Sequence, residues 1–202
     1  MKRILALALV LAVCGTAHSA FAASDTRFKI FGAAAWVAPM DDEDFDISGI
    51  DDTLEAADAF GWSIGFEFQF TDRLGIEVDY INATQDIDFG GDTIAEVDFQ
   101  PISASLNIHL IDSDVIDLYI APTASWVNWG DIETTGGGIS VETGTDTEFA
   151  WGAQIGLDIG LGDRVCIVTG LRYLNLDLTG DDLDGELGVN PLIARAGIGI
   201  RF

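Results

Sequence analysis

Residues 148 to 161 fall into two sets when every second position is taken. Phe149, Trp151, Ala153, Ile155, Leu157, Ile159 and Leu161 are apolar, whereas Glu148, Ala150, Gly152, Gln154, Gly156, Asp158 and Gly160 are small or polar. A period of two means an extended strand with one apolar face, because successive side chains of a strand point to opposite sides. The run lasts 14 residues, where a strand of an ordinary globular sheet has about five or six.

The alternation recurs in eight segments, 27–38, 58–70, 74–87, 96–110, 116–129, 148–161, 165–178 and 189–202. Their connections alternate in length. Thr71-Asp72-Arg73, Asp112 to Val115 and Gly162-Asp163-Arg164 are short turns; Met40 to Ala57, Ile87 to Ala95, Gly130 to Thr147 and Thr179 to Gly188 are long and polar. All short turns therefore lie at one end. The pattern predicts an all-β fold, an eight-stranded antiparallel transmembrane β-barrel with short periplasmic turns and long outer loops. An even strand number would leave both termini periplasmic.

Residues 1–22 read as an export signal. Lys2 and Arg3 form a positive start, Ile4 to Val13 an apolar run, and Ala20-Phe21-Ala22 a small-x-small cleavage site. The apolar run is too short for a spanning helix, which needs about 20 residues. Leu11-Ala12-Val13-Cys14 resembles a lipid-attachment box, but Val13 is not the small residue such a box requires. The expected single domain is 23–202. Losing the leader removes two bases and no acids, taking the formal charge from −25 to −27. Nucleic-acid binding by phosphate neutralisation is excluded by that balance. Only Cys166 remains, so no intramolecular disulfide forms. At 49% hydrophobic residues the chain is too apolar for disorder.

A soluble sandwich or lipocalin-like barrel would turn its apolar face inward. Here the apolar parity is unbroken through Phe60, Trp62, Ile64, Phe66, Phe68 and Phe70, and again through Leu192 to Phe202. The opposite parity holds Glu67, Gln69, Arg195 and Arg201 and is rich in glycine, which suits a narrow lumen with room only for side chains. Trp36, Trp62, Trp126, Trp129 and Trp151 all fall near the long-loop ends, as an interfacial girdle would. The terminal Phe202 is the signal that barrel-assembly machinery reads in many outer-membrane proteins. These features point to a bacterial outer membrane, with its lipid and lipopolysaccharide as surroundings.

Parity and strand direction divide the inward residues by height. Towards the periplasmic end come Lys29, Glu67, Gln69, Glu77, Asp79, Asn107, His109, Asp117, Gln154, Asp158 and Arg201, with Arg195 and Arg172 somewhat higher. Charges in a narrow lumen must be paired, so Lys29, Glu67, Glu77, Asp79, Asp158, Arg172, Arg195 and Arg201 are expected to form a closed polar floor. Above it the inward set is Val37, Ile81, Ala83, Val97, Phe99, Pro101, Val127, Trp129, Leu174, Leu176, Pro191 and Ile193. Val37, Ile81, Phe99, Val127, Trp129, Leu174, Leu176 and Ile193 are the candidate lining of an apolar lumen. Such a surface either binds apolar solutes or is a small core whose side chains fill one another's space.

The chain resembles the OmpW family of outer-membrane proteins over nearly all of residues 23–202. Phe149-Ala150-Trp151-Gly152 with Gln154-Ile155-Gly156-Leu157-Asp158 resembles the family's sixth strand, and Leu171-Arg172-Tyr173-Leu174 its seventh. Asn190-Pro191-Leu192 through Gly199-Ile200-Arg201-Phe202 is similar to its terminal strand, and Gln100-Pro101 with Ser105-Leu106 to its fourth. The resemblance implies an eight-stranded barrel with an apolar lumen that admits small hydrophobic molecules, which then leave sideways through the wall. The first loop departs from the family in its acidity, with Asp41, Asp42, Glu43, Asp44, Asp46, Asp51, Asp52 and Glu55.

No catalytic constellation emerges. His109 is the only histidine after the leader, and Ser105 and Ser103 lie four and six residues along its strand. At about 3.3 Å per residue that is beyond hydrogen-bond reach, so no enzyme is expected. Asp41 to Asp46 lacks the spacing of a calcium-binding loop and reads as a solvated face, with bridging of divalent cations to lipopolysaccharide phosphates as the alternative. Gly136-Gly137-Gly138 precedes no helix and is not a phosphate cradle. No cofactor or metal site is expected. The function expected is passive uptake or binding of small apolar solutes; the alternative is a non-transporting structural or adhesive barrel.

Overall fold

A computed structural model describes residues 27–40, 54–89, 92–130, 132–134, 140–141, 147–179, 186–188 and 190–202. The expected leader, 1–22, and the acidic run Asp41 to Asp46 lie outside the described residues, as does Gly136-Gly137-Gly138. Eight long strands make the wall: β1 Arg27–Ala38, β2 Ala59–Thr71, β3 Leu74–Phe89, β4 Asp92–Asp112, β5 Ile116–Trp129, β6 Thr147–Gly160, β7 Val165–Asn175 and β8 Leu192–Arg201. Each is antiparallel to its neighbour in sequence. Ten consecutive pairs, Lys29↔Arg201 to Ala38↔Leu192, join β1 to β8 and close the barrel. Closure satisfies the backbone polar groups that an open edge would strand in lipid.

Period-two alternation is what makes this closure work. Outward positions such as Ile64, Ile76, Ile102, Ile120, Ile155, Leu171, Ile198 and Ile200 are exposed apolar side chains, and the intervening positions are buried in the lumen. An exposed apolar belt of that extent faces lipid. Trp62, Trp126 and Trp151 project outward near the ends with long connections, whereas Trp129 turns inward and is not part of that girdle. Trp62 stacks edge-on against Tyr80, and Trp126 against Phe149, with centroids 5.6 and 5.7 Å apart.

The ends of the barrel differ, and we call them the turn end and the loop end. Asp72-Arg73, Ser113 to Val115 and Leu161 to Arg164 connect strands at the turn end. Thr71 Oγ1 accepts from the Arg73 and Leu74 amides, and Ser113 both donates to the Ile116 carbonyl and accepts its amide. At the loop end one expectation needs correction. Ile87 to Ala95 is not a long loop: β3 and β4 stay paired through Ile87↔Ala95, Asp88↔Thr93 and Phe89↔Asp92, with a register shift after Ile87. Two glycines, Gly90 and Gly91, separate the strands, and such a dipeptide lets a hairpin reverse within two residues. β4 is therefore 21 residues long, roughly twice what crosses a bilayer, and the β3–β4 hairpin stands above its neighbours. Leu54–Ala56 and Ile132–Thr134 add short pairings to its flanks. The seventh segment also ends earlier than its apolar parity: β7 stops at Asn175, and Asp177–Thr179 pairs instead with Glu186–Gly188.

Candidate functional site in the barrel lumen

Inside the wall the side chains form two storeys. The lower is ionic and begins at the turn-end rim, where Arg27 donates through both terminal nitrogens to Asp112, which also accepts from Gln69. Above it Lys29 Nζ lies between Glu67 at 2.7 Å and Asp158 at 2.6 Å. His109 bridges two carboxylates, with Nδ1 2.6 Å from Asp117 and Nε2 3.1 Å from Glu67. Next, Glu77 receives Arg195 at 2.5 Å, Gln154 at 3.2 Å, and the Asn107 amide and Tyr119 hydroxyl at 3.4 Å. The top layer is Arg172, which donates to both oxygens of Asp79, to Gln154 and to Ser103. Ser103 is bonded in turn to Ser125.

This arrangement follows from register. The closing ladder sets Lys29 beside both Glu67 and Arg201. Strands β6 and β7 set Arg172 beside Gln154. Every floor residue named from the sequence (Lys29, Glu67, Glu77, Asp79, Asp158, Arg172, Arg195 and Arg201) lies in this network, with Arg201 at its edge, 3.6 Å from Asp158. Leaving any of these charges unpaired at such depth would cost several kcal/mol, so the network holds itself in one arrangement.

Two residues central to the floor carry no charge and were not singled out by sequence parity. Tyr119 pairs in register with Gly156, and a methyl added there would sit 2.1 Å from its ring. Phe31 occupies the space over Gly65, whose added Cβ would lie 2.5 Å from the ring tip. Arg195 stacks over Phe31 at 4.8 Å, and Lys29 lies 5.3 Å from the Tyr119 ring centroid. The signal was present in the glycine-rich inward parity: an aromatic opposite a glycine marks where a ring crosses a lumen this narrow.

The upper storey is apolar. Val37, Ile81, Phe99, Val127, Leu174, Leu176 and Ile193 form one cluster with Ala35, Ala59, Ala83 and Ala150, and Trp129 packs on it partly buried. The seven large members are 0–1% exposed, so in this state they fill one another's space. The Trp129 ring lies 5.3 Å from Phe99, and its indole N–H donates to Glu148 at 3.3 Å, which fixes it as a cap. A recess opens at the other end, lined by Arg27, Phe28, Lys29, Glu67, Gln69, Asp117 and Arg201. Ser105 bonds Thr123 at 2.8 Å, while His109 faces Asp117 and Glu67.

A proline stands in the wall beside this cluster. The β3–β4 ladder keeps one register from Tyr80↔Ile102 to Ala83↔Phe99, which sets Ile81 and Asn82 opposite Pro101 and Gln100. Pro101 has no N–H to give to a ladder. Pro122, opposite Leu106 in the β4–β5 register, takes a like position at the level of the ionic floor.

A closed eight-stranded barrel with an apolar belt outside and a paired ionic lumen is an integral membrane barrel. The chain belongs to the outer membrane protein β-barrel domain family, whose model matches residues 5–202, and its place is the bacterial outer membrane. Among solved structures it is similar to the outer membrane protein OprG of Pseudomonas aeruginosa, with 16% identity, a TM-score of 0.71 and 89% of this chain covering 97% of that one. The outer membrane protein W of E. coli is 15% identical at a TM-score of 0.55, over 89% of this chain and all of that one (100%). Ail, the attachment invasion locus protein of Yersinia pestis, solved with the heparin analogue sucrose octasulfate, is 15% identical at a TM-score of 0.51, over 88% and 97%. These likenesses concern the fold. Among curated proteins none matches the chain.

Proposed function

We propose that the barrel takes up small apolar molecules at its loop end and releases them sideways into the membrane, with no catalytic role. The observation that carries this reading is the division of the lumen into an apolar storey over an ion-paired floor. A solute entering from the loop end passes Glu148 and Gln85 and then meets a mainly hydrocarbon lining until it reaches Arg172 and Asp79. It cannot continue, because passing them would strand charges that the floor now pairs. In this reading the exit lies where Pro101 withholds an N–H from the β3–β4 ladder, at the height of Ile81, Phe99 and Val127. Because those side chains pack against one another when the lumen is empty, the solute takes the place of Trp129, Phe99 and Leu176 as it enters. In this reading the turn end and both termini face the periplasm. Outer-membrane lipid and lipopolysaccharide surround the wall, and assembly machinery recognises Phe202.

The test is uptake of a small apolar solute by liposomes carrying the refolded barrel, beside Leu174→Arg and protein-free liposomes. Uptake above the protein-free rate, abolished by the arginine, supports the conduit. Equal rates in all three, with both barrels folded, refute it.

The close packing of the upper storey favours a second reading, a non-transporting barrel that stiffens the envelope or presents its loop end for adhesion. The fold likeness to an attachment protein accords with it. In that case Leu174→Ala destabilises the barrel and leaves uptake unchanged.

A further inference from the structure

The two arginines at the boundary between the storeys differ in how far their donors are engaged. Arg172 uses every N–H of its fork: Nε on Gln154, Nη1 on Asp79 and Ser103, and Nη2 on Asp79 and Gln154. Among the described residues Arg195 donates only through Nη2, to Glu77 at 2.5 Å and to the Tyr119 hydroxyl at 3.5 Å. Its Nε and Nη1 are buried without a hydrogen-bond partner there, and Nη1 comes no nearer to Asp79 than 3.7 Å. The Ser63 hydroxyl, on a residue 2% exposed, also finds no partner among the described residues.

Register brings these groups to one corner of the lumen. Arg195 stands opposite Ala35 on β1 and Ser63 opposite Ala33, so β1 contributes only methyl groups between them. Asp79, towards which Nη1 reaches, pairs with Gly65, the next inward position after Ser63 on β2. Gly170, the β7 neighbour of Arg195, has no side chain to accept from it, and a Cβ there would stand 3.0 Å from Nε. The Phe31 ring covers one face of the guanidinium at 4.8 Å. The apolar storey begins directly beside the corner. Ile193, the next inward residue on β8, and Ile81, opposite Ser63 in register, both belong to its cluster. The other buried groups without partners, Asn107 Oδ1, Asp158 Oδ1 and Arg201 Nη2, lie deeper, among Glu67, Lys29 and the rim.

Unbonded N–H groups on a buried guanidinium are unfavourable, so a ligand that accepts from them gains more than it would elsewhere in the lumen. A carboxylate suits the corner poorly. Lys29, Arg172, Arg195 and Arg201 already face Glu67, Glu77, Asp79 and Asp158, and one more negative charge would lie beside Glu77 and Asp79. A carbonyl oxygen has two lone pairs to accept with and brings no charge. Resting on the uptake reading above, we propose that the preferred ligand is an apolar chain with a neutral carbonyl at one end. Arg195 and Ser63 donate to its oxygen while the chain occupies the space of the Ile81–Leu174–Ile193 cluster.

The experiment is calorimetric titration of the full barrel in lipid nanodiscs, with barrel-free nanodiscs as the blank. The probes are methyl heptyl ketone, n-nonane and nonanoate, which have the same number of carbons. The ketone is expected to bind at least about tenfold more tightly than the alkane, as a hydrogen bond to a charged donor allows, and nonanoate no more tightly than the alkane. With an isotope-labelled carbonyl, the infrared stretch of the bound ketone should fall below its value in lipid alone. Ser63→Ala leaves Arg195 in place and should reduce the ketone's advantage by roughly two- to tenfold, with alkane binding unchanged. Arg195→Lys keeps a cation for Glu77 while removing the forked donors, and should abolish both the advantage and the infrared shift. Equal binding of ketone and alkane, an unshifted stretch, or tighter binding of nonanoate than of the ketone overturns the carbonyl site and leaves the conduit standing. Binding of none of the probes above the blank overturns the uptake reading, and the carbonyl site with it.

Discussion

Arg195 on the last strand donates to Glu77 on the third at 2.5 Å, across a lumen in which neither side chain meets water. The two residues are 118 apart in sequence, so this contact exists only once the barrel has closed. Buried pairs of this kind are costly to break and contribute less when compared with an apolar replacement, because desolvation has already been incurred. Arg195→Met should therefore lower unfolding stability in lipid vesicles by about 3–5 kcal/mol by leaving Glu77 short of a cation. Glu77→Gln alone should do similar harm. Combined, they should lose about 1–3 kcal/mol less than the sum. Additive losses in urea titrations would mean the pair is not coupled.

Gly156→Val places a branched side chain where the Tyr119 ring lies. Overpacking of this sort costs typically about 1–3 kcal/mol. The expected rescue is Tyr119→Ala in the same chain, which reopens the space. Urea midpoints of the single and double variants decide it, since a double variant no better than Gly156→Val alone removes the steric explanation.

Leu174 is fully buried at the centre of the apolar storey. Truncation to alanine should cost about 2–5 kcal/mol, depending on how far Val127 and Ile193 relax. If the cluster is the solute's path, the cavity should also speed uptake. Stability and flux measured on the same preparation separate the two readings of the barrel, because a purely structural cluster loses the first without changing the second.

Asn82 and Gln100 stand opposite one another in the β3–β4 register, next to Pro101. Asn82→Cys with Gln100→Cys places two thiols across that ladder. Oxidation should stitch the wall there and slow release of an apolar solute at least about tenfold, with recovery on reduction. Undiminished release from the oxidised form would rule out an exit at this place.

Much of this molecule could be read along the chain. Eight alternating segments, the direction of each face and the two storeys follow from parity, since a strand has only two sides and the membrane rewards one of them with apolar residues. Ile87 to Ala95 looks like a loop along the chain because sequence polarity does not distinguish a loop from a strand beyond the apolar belt. Asp88 and Thr93 are polar on a stretch that has left the bilayer, yet they remain paired. Trp129 was ambiguous for a related reason. Its parity points inward while its residue type suits an interface, and packing on Phe99 decided for the lumen.

The sequence by itself determined the class, the strand count, the exterior and the division of the lumen into a polar floor and an apolar storey, all properties of periodicity and composition. Tertiary structure decided which carboxylate meets which cation, that Tyr119 and Phe31 cross the lumen over glycines, that the apolar storey is filled, and that β3 and β4 stay paired up to Phe89↔Asp92. These depend on register between strands far apart in the chain. A shift of one residue would exchange every inward side chain for its neighbour. That register is settled only when β1 and β8 meet and all the pairs are satisfied together.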